Sequence, residues 1–175
     1  DMDNDGDMDI VSASYYDDTI AWYENDGAAN PSWTAADIAT SADAAQSVFV
    51  TDMDNDGDMD IISASENDDA IAWYENNGAA NPSWTAADIA TSADGAQWVF
   101  AADMDNDGDM DIVSASYTDD AIAWYENNTI VSGTSSFAAA DIATSAAAAR
   151  DVFVADMDND GDMDIVSASG NDNTI

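Results

Sequence analysis

A nine-residue acidic motif that recurs along the chain constrains the fold more than any other feature. The sequence DMDNDGDMD occurs unchanged at residues 1–9, 52–60, 103–111 and 156–164. The copies start 51, 51 and 53 residues apart, and residues 1–51 differ from residues 52–102 at only 9 positions. Repetition at this period predicts an array of similar structural units that pack on one another.

The repeat divides the chain into three units and part of a fourth. Repeat 1 spans residues 1–51 and lacks its first strand. Repeat 2 spans residues 52–102, repeat 3 spans residues 103–155, and a partial repeat 4 spans residues 156–175. We interpret the chain as a segment of a longer array. The missing secretion signal therefore carries no information about compartment.

Local patterns within a unit predict strands and turns. In repeat 2, residues 61–65, 70–75 and 84–90 form three strand-like runs, and residues 99–102 lead into the next motif. Four short strands in about 50 residues is the size of a β-propeller blade. We predict an all-β fold of propeller-like blades, each with four antiparallel strands and about 51 residues, arranged as an incomplete ring or part of a longer array. A parallel β-helix is less favoured, because it needs shorter coils and more than the 9 glycines present.

The charge of the chain excludes several functions. The chain has 38 acidic residues and one basic residue, Arg150, without histidine or cysteine, so its net charge is −37. Such a chain is not expected to bind nucleic acid or anionic membranes without bridging cations. It lacks the residues for structural zinc sites, disulfides, and imidazole or thiol catalysis. No apolar run approaches the roughly 18 residues that membrane insertion requires.

The acidic motif has the spacing of a loop that wraps a hard cation. Carboxylates occupy positions 1, 3, 5, 7 and 9, and glycine at position 6 allows a sharp turn. Side-chain oxygens from positions 1, 3 and 5, a backbone carbonyl from position 7 and a further oxygen from position 9 suit calcium, which accepts six to eight oxygens. The loop is not an EF-hand, because strand-like runs flank it and position 12 is serine rather than glutamate. Those serines are Ser12, Ser63, Ser114 and Ser167.

The motif and its flanks resemble the FG-GAP/VCBS repeat family. The resemblance covers the Val-Phe run before the motif, the IVSAS run after it, and the IAWYEN segment that follows. It implies an integrin-α-like β-propeller of seven or eight blades, with calcium in the hairpin loop between the first two strands of a blade. Three repeats and a fraction do not close such a ring. The chain is therefore expected to be longer, to complete a ring with a second copy, or to stack into a filament.

The resemblance also implies about one Ca²⁺ in each loop and four in the chain. Side chains at positions 1, 3, 5 and 9 and the carbonyl at position 7 are the implied ligands. They are Asp1, Asp3, Asp5, Asp7 and Asp9 in the first loop, Asp52, Asp54, Asp56, Asp58 and Asp60 in the second, Asp103, Asp105, Asp107, Asp109 and Asp111 in the third, and Asp156, Asp158, Asp160, Asp162 and Asp164 in the fourth.

Apolar residues of the repeat are predicted to form the core. The Trp-Tyr pairs at residues 22–23, 73–74 and 124–125 place one ring on each face of a strand, which indicates packing between blades. Methionines at motif positions 2 and 8 alternate with the aspartates, so we expect both to point away from the ion and pack on the adjacent strand.

A few other residues suggest contacts or modification. Trp33, Trp84 and Phe137 lie beside loops and are candidates for stacking on a sugar. Arg150 is predicted to pair with Asp151 or with a carboxylate across the blade interface. A single N-glycosylation sequon spans residues 127–129.

Taken together, the sequence predicts a calcium-binding structural repeat segment of an extracellular or cell-surface adhesin or filament, in which calcium rigidifies each blade loop. Near-identical units predict self-association as a homo-oligomer or polymer, or contact with neighbouring repeats of a longer chain.

The alternative functions are a calcium-stabilised, lectin-like propeller that binds glycans, and an accessory module of a secreted polysaccharide-degrading enzyme. We do not expect the chain to be an enzyme, because its clustered carboxylates are explained as ligands rather than as a glycosidase acid in a cleft. Salt adaptation would spread the charge evenly, whereas 20 of the 38 acidic residues lie in the motifs.

Overall fold

The computed structural model describes residues 1–128 and 136–171. The helices and strands of a fold are represented in these residues by β-strands alone, which confirms the all-β prediction. No described segment forms a helix long and apolar enough to cross a membrane. The N-glycosylation sequon at residues 127–129 extends beyond the described residues.

The strands are β1 (Ile10–Ser14), β2 (Thr19–Asn25), β3 (Trp33–Ala39), β4 (Ala45–Thr51), β5 (Asp60–Ser65), β6 (Ala70–Asn76), β7 (Trp84–Ala90), β8 (Ala96–Ala102), β9 (Asp111–Ser116), β10 (Ala121–Asn127), β11 (Phe137–Ala143), β12 (Ala149–Ala155) and β13 (Asp164–Ser169).

The strands form four antiparallel sheets in chain order. The first sheet is β1-β2-β3, the second β4-β5-β6-β7, the third β8-β9-β10-β11 and the fourth β12-β13. The first three sheets are meanders, because consecutive strands pair, and the two described strands of the fourth sheet form a hairpin. The second and third sheets begin one strand before their acidic motifs, so each takes its first strand from the end of the preceding sequence repeat. Within the described residues the sheets do not close into a ring.

Three apolar cores lie between successive sheets and hold the array together. Trp73 is 7% exposed and belongs to the core between the second and third sheets, whereas Tyr74 is 5% exposed and belongs to the core between the first and second. Neighbouring residues of a strand point to opposite faces, so the pair is shared between two interfaces. Tyr125 and Trp124 repeat this division one sheet later. The predicted packing is confirmed for the pairs at residues 73–74 and 124–125, whereas in the first pair only Trp22 belongs to a core.

The two motif methionines have different surroundings. At position 2, Met2 and Met53 are buried in the core beneath the following sheet. At position 8, Met8 is 72% exposed and Met59 is 41% exposed. The prediction that both methionines pack is therefore wrong for position 8 in these loops, because that side chain lies on the outer surface of the loop.

Several loop-side residues also differ from expectation. Trp84 and Phe137 are half-buried and pack against the inter-sheet cores, whereas Trp33 is 43% exposed. The guanidinium of Arg150 lies over the ring of Tyr117, 5.1 Å from its centroid. Among the described residues, the partner of Arg150 is thus an aromatic ring and not the carboxylate that the sequence predicted.

Candidate metal centre

The second, third and fourth acidic motifs each form the loop that precedes the second strand of a sheet, and the first motif precedes β1, the first strand of its sheet. In the second sheet, pairing between β4 and β5 ends at Thr51 and Asp60, so residues 52–59 form the turn and Asp60 begins the returning strand. The third and fourth sheets have the same arrangement. The strand pair therefore closes the loop at its base and forces its carboxylates into a small volume.

Three carboxylates converge in every loop. Each contributes one oxygen, and these oxygens lie within 4.8 Å of one another. Positions 1 and 3 always take part, and the third carboxylate comes from position 5 or position 9. The clusters are Asp1, Asp3 and Asp5; Asp52, Asp54 and Asp60; Asp103, Asp105 and Asp107; and Asp156, Asp158 and Asp164. A set made only of oxygens suits a hard cation such as calcium or magnesium.

Backbone N–H groups of the loop hold the carboxylates in place. In the second loop, Asp52 accepts hydrogen bonds from the N–H groups of Gly57 at 3.0 Å and Asp56 at 3.1 Å. Asp54 accepts a second bond from Asp56 at 3.3 Å, and Asp56 accepts one from Asp58 at 2.9 Å. The third and fourth loops repeat these contacts. Gly57 has a φ of 97°, a conformation that favours glycine and fixes the residue type at position 6.

The carboxylate at position 9 joins the loop to the third strand of its sheet. Asp60 is fully buried and accepts hydrogen bonds from the N–H groups of Asn76 at 2.7 Å and Met53 at 3.1 Å. Burial raises the pKa of Asp60 to about 7, although these hydrogen bonds oppose the shift. Burial likewise raises the pKa of Asp111, which makes the corresponding contacts.

Crowding of like charges also affects the second loop. Burial, followed by the charge of Asp56, raises the pKa of Asp54. Both effects penalise the ionised form when no positive charge is nearby. A bound cation reverses this penalty, because an opposite charge within about 4–6 Å favours the carboxylate.

The first loop provides a test of whether a cation fits. One carboxylate oxygen of Asp1, Oδ1, is buried and has no hydrogen-bond partner. A buried carboxylate oxygen is costly unless another group satisfies it. A divalent cation held by Asp1, Asp3 and Asp5 would supply that partner. The donor set and this orphaned oxygen therefore fit a calcium-type ion.

The side chain at position 7 has a different role from the other aspartates. Asp58 accepts a hydrogen bond from Nδ2 of Asn4, and Asp109 accepts one from Nδ2 of Asn55, both at 2.7 Å. Its carboxylate is thus directed to the preceding loop and lies outside the three-carboxylate clusters. The expected ligand at this position is the backbone carbonyl, and the sequence prediction for it stays a prediction.

Asparagine side chains are the functional residues that the sequence analysis missed. Asn55 at motif position 4 has a φ of 59°, a left-handed conformation that asparagine tolerates better than most residues. Asn76 at the end of β6 donates to the carbonyl oxygens of Met2 at 2.8 Å and Met59 at 3.0 Å. The constant position of these asparagines in each repeat was visible in the sequence, but the partners Asp109 of Asn55 and Met2 of Asn76 lie in neighbouring repeats.

Antiparallel sheets that stack through apolar faces, each carrying an acidic loop lined with carboxylate oxygens, define a class of tandem β-repeat proteins whose loops can hold a cation. The FG-GAP-like repeat family matches the chain three times, at residues 1–63, 52–114 and 103–167, and the chain belongs to this family. This match confirms the resemblance of the motif and its flanks. No curated protein matches the chain.

Proposed function

We propose that this chain is a calcium-binding structural repeat segment of an extracellular adhesin or filament, with its sheets acting as blades of a β-propeller. The observation that carries the proposal is the convergence of three carboxylate oxygens within 4.8 Å in each of the four loops. Calcium bound there offsets the repulsion between the carboxylates. It also rigidifies the connection between the first two strands of a blade.

The donors favour calcium over magnesium. Calcium accepts six to eight oxygens in flexible geometry, including backbone carbonyls, whereas magnesium demands near-octahedral geometry and usually keeps several waters. Three clustered carboxylates, a further loop carboxylate and the carbonyl at position 7 make a protein-rich oxygen set. Sites in extracellular modules bind calcium at about 10⁻⁴–10⁻³ M, so loops of that affinity would fill in an extracellular setting and stay empty where calcium is scarce.

The exposed apolar residues of the first and fourth sheets support self-association of the protein. Ile10 in the first sheet is 48% exposed, whereas its repeat counterpart Ile61 is fully buried beneath a neighbouring sheet. In the fourth sheet and its loop, Phe153 is 55% exposed and Met157 is 60% exposed, although the counterpart Met53 is fully buried. Neighbouring repeats, from a second copy or from a longer chain, would cover these faces as the inner sheets cover one another.

Glycan binding is a second candidate, favoured by exposed aromatic rings. Trp33 is 43% exposed, and Tyr16 is 91% exposed with its ring edge-on to Tyr15 at a centroid distance of 5.0 Å. Exposed rings beside polar side chains form platforms for sugars. A lectin-like propeller or an accessory module of a polysaccharide-degrading enzyme would use these rings to bind glycans, and a glycan array tests both.

We propose a non-enzymatic role for the chain, since its clustered carboxylates are explained as ion ligands.

Thermal unfolding in calcium and then in excess chelator tests the main proposal. A site that binds only the folded state adds about 2.7 kcal/mol when the ion is at 100 times its dissociation constant, so the Tm should rise by several degrees. Magnesium at the same concentration should raise it less. A transition that calcium leaves unchanged would contradict the proposal.

A charge-matched pair of variants shows whether the loops are responsible. Asp52→Asn combined with Asp54→Asn removes two ligand charges from the second loop and should reduce the calcium-dependent shift. Asp37→Asn combined with Asp88→Asn, in the exposed parts of strands β3 and β7, also removes two negative charges, but it should leave that shift unchanged. Equal effects of the loop and strand substitutions would indicate general charge screening instead of loop sites.

A further inference from the structure

Two hydrogen-bonded routes connect neighbouring acidic loops, the first at all three boundaries and the second at the boundaries that lead into the second and third loops. In the first route, Nδ2 of Asn55 in the second loop donates to Oδ1 of Asp109 in the third loop at 2.7 Å. The same contact joins Asn4 to Asp58 at 2.7 Å and Asn106 to Asp162 at 3.4 Å. All three boundaries between consecutive loops therefore carry this bond.

The second route is buried and passes through the backbone. Asp60 accepts the N–H of Met53, and the carbonyl of Met53 accepts a hydrogen bond from Nδ2 of Asn127 at 2.9 Å. The backbone N–H of Asn127 then donates to Asp111 at 2.7 Å. All four residues are at most 1% exposed. An unbroken series of hydrogen bonds thus joins the position-9 carboxylates of two neighbouring loops.

We propose that Asn55 and Asn127, with their repeat counterparts, are positioning residues through which an ion in one loop favours an ion in the next. This inference rests on the proposed function, and it adds that the sites form a positively cooperative array. Asn55 lies between Asp54 and Asp56, so an ion that fixes the loop also fixes the direction of its amide. That amide then holds Asp109, whose backbone carbonyl is an expected ligand of the third site.

The cooperativity arises because an ion that orders one loop also orders the position-7 residue of the next loop. A loop whose position-7 residue is already held loses less conformational entropy when its ion binds. Electrostatics alone predicts the opposite sign, since a dication in one loop weakens the negative potential that attracts an ion to the next. Positive cooperativity therefore distinguishes the hydrogen-bonded routes from a simple field effect.

Four glycines at motif position 6 allow each loop to be followed separately by ¹⁵N–¹H NMR. They are Gly6, Gly57, Gly108 and Gly161, and the N–H of each donates to the position-1 carboxylate of its own loop. During a calcium titration of the whole chain, each amide should shift as its loop fills. We expect Gly57 and Gly108 to titrate steeply, with a Hill coefficient above 1.

Asn55→Gly is the first test, because glycine keeps the left-handed backbone and removes the amide donor. It should raise the calcium concentration that half-saturates Gly108 by about fivefold, at the lower end of typical coupling between sites. Asn159→Gly is the matched control. It makes the same change in the fourth motif, and the sequence contains no fifth motif. Gly108 should titrate normally in this control.

A second variant separates coupling from a static structural role. Asp52→Asn with Asp54→Asn blocks the second site and keeps Asn55, so it too should raise the half-saturating calcium concentration for Gly108. Adding this pair to Asn55→Gly should have little further effect on Gly108, because the two changes break the same connection. Dispersed amide signals from the first sheet check that each variant is folded.

The outcomes are distinguishable. If no glycine amide of the unaltered chain responds to calcium, the proposed function fails, and this inference fails with it. If all four respond but Gly108 titrates identically with the second site blocked, calcium binding stands and the coupling is overturned. A non-additive effect of the two substitutions on Gly108 supports the coupling.

Discussion

The buried carboxylate of Asp60 and the backbone N–H of Asn76 form a 2.7 Å hydrogen bond that fixes the acidic loop to the third strand of its sheet. The other oxygen of Asp60 accepts the N–H of Met53, so both oxygens are bound by the protein itself. Asp111 and Asn127 repeat the arrangement in the next sheet. In the second and third sheets, position 9 therefore has a structural role that does not depend on an ion.

Asp60→Ala should destabilise the protein even in chelator. It leaves two buried N–H groups without acceptors, and each such group costs about 1–3 kcal/mol, so we expect a total near 3 kcal/mol. Asp164→Ala is the control, because Asp164 is exposed and accepts from Met157 at 2.9 Å at the surface. Urea denaturation in chelator measures both losses, and the loss for Asp164 should be about 1 kcal/mol or less. Similar losses for the two variants would refute a buried structural role for Asp60.

Met53 and Met59 belong to one motif but should respond differently to truncation. Met53 is fully buried, so Met53→Ala removes core contacts and should cost about 2–4 kcal/mol. Met59 is 41% exposed, and Met59→Ala should change stability by about 0.5 kcal/mol or less. Chemical denaturation at constant calcium compares them. A large loss for Met59 would show that its side chain is covered.

Alkaline pH should weaken the interface between the second and third sheets. Burial raises the pKa of Tyr125, whereas the contact with Ser114 opposes the shift. The folded state therefore keeps its proton more tightly than the unfolded state, and stability falls as pH rises above about 10, the ordinary tyrosine pKa. Tyr125→Phe should remove this part of the pH dependence.

A matched substitution controls for general alkaline effects. Tyr16→Phe alters a ring that is 91% exposed, so the decline in stability above about pH 10 should be the same as in the unaltered chain. Denaturation midpoints measured from about pH 8 to 11 provide the comparison. If Tyr125→Phe and the unaltered chain decline equally, ionisation of Tyr125 does not limit alkaline stability.

Self-association should depend on the open face of the fourth sheet. Sedimentation in calcium should show species above the chain mass of 18.3 kDa. Phe153→Glu places a charge on that face and should shift the distribution towards monomer, because an unpaired charge cannot be buried cheaply in an apolar interface. Tyr16→Glu makes the same change at an exposed turn and should have no such effect. A stable monomer of the unaltered chain would remove this proposal.

Local pattern was sufficient to predict the strands and the division of the aromatic residues between two faces. Alternation along the IAWYEN segment determines that Trp73 and Tyr74 point in opposite directions, whatever the neighbouring sheets do. The acidic spacing likewise identified the loop and the carboxylates at positions 1 and 3, which are brought together in every copy. These features depend on residues close together in the chain.

The missed features depend on how the sheets stack. Asn55 and its partner Asp109 are 54 residues apart, and nothing in the motif shows that one loop reaches the next. Met53 and Met59 both alternate with aspartates, yet only Met53 lies beneath the following sheet. Arg150 is similar, because its contact with Tyr117 crosses a boundary between sheets. Such contacts require the relative placement of units, which a repeat pattern alone does not provide.

The short acidic connection between the first two strands of a sheet also bears on how the chain avoids misfolding. Strands β1, β9 and β13 carry the same IVSAS segment, and β5 differs from it at one position, so a newly made chain has several nearly equivalent pairing choices. The entropy cost of closing a loop grows with its length, so the strand reached through a nine-residue motif is favoured over an identical strand one or more repeats away. The length of the motif thus selects the correct partner among near-copies and limits swapped pairings, a characteristic failure of repeat proteins.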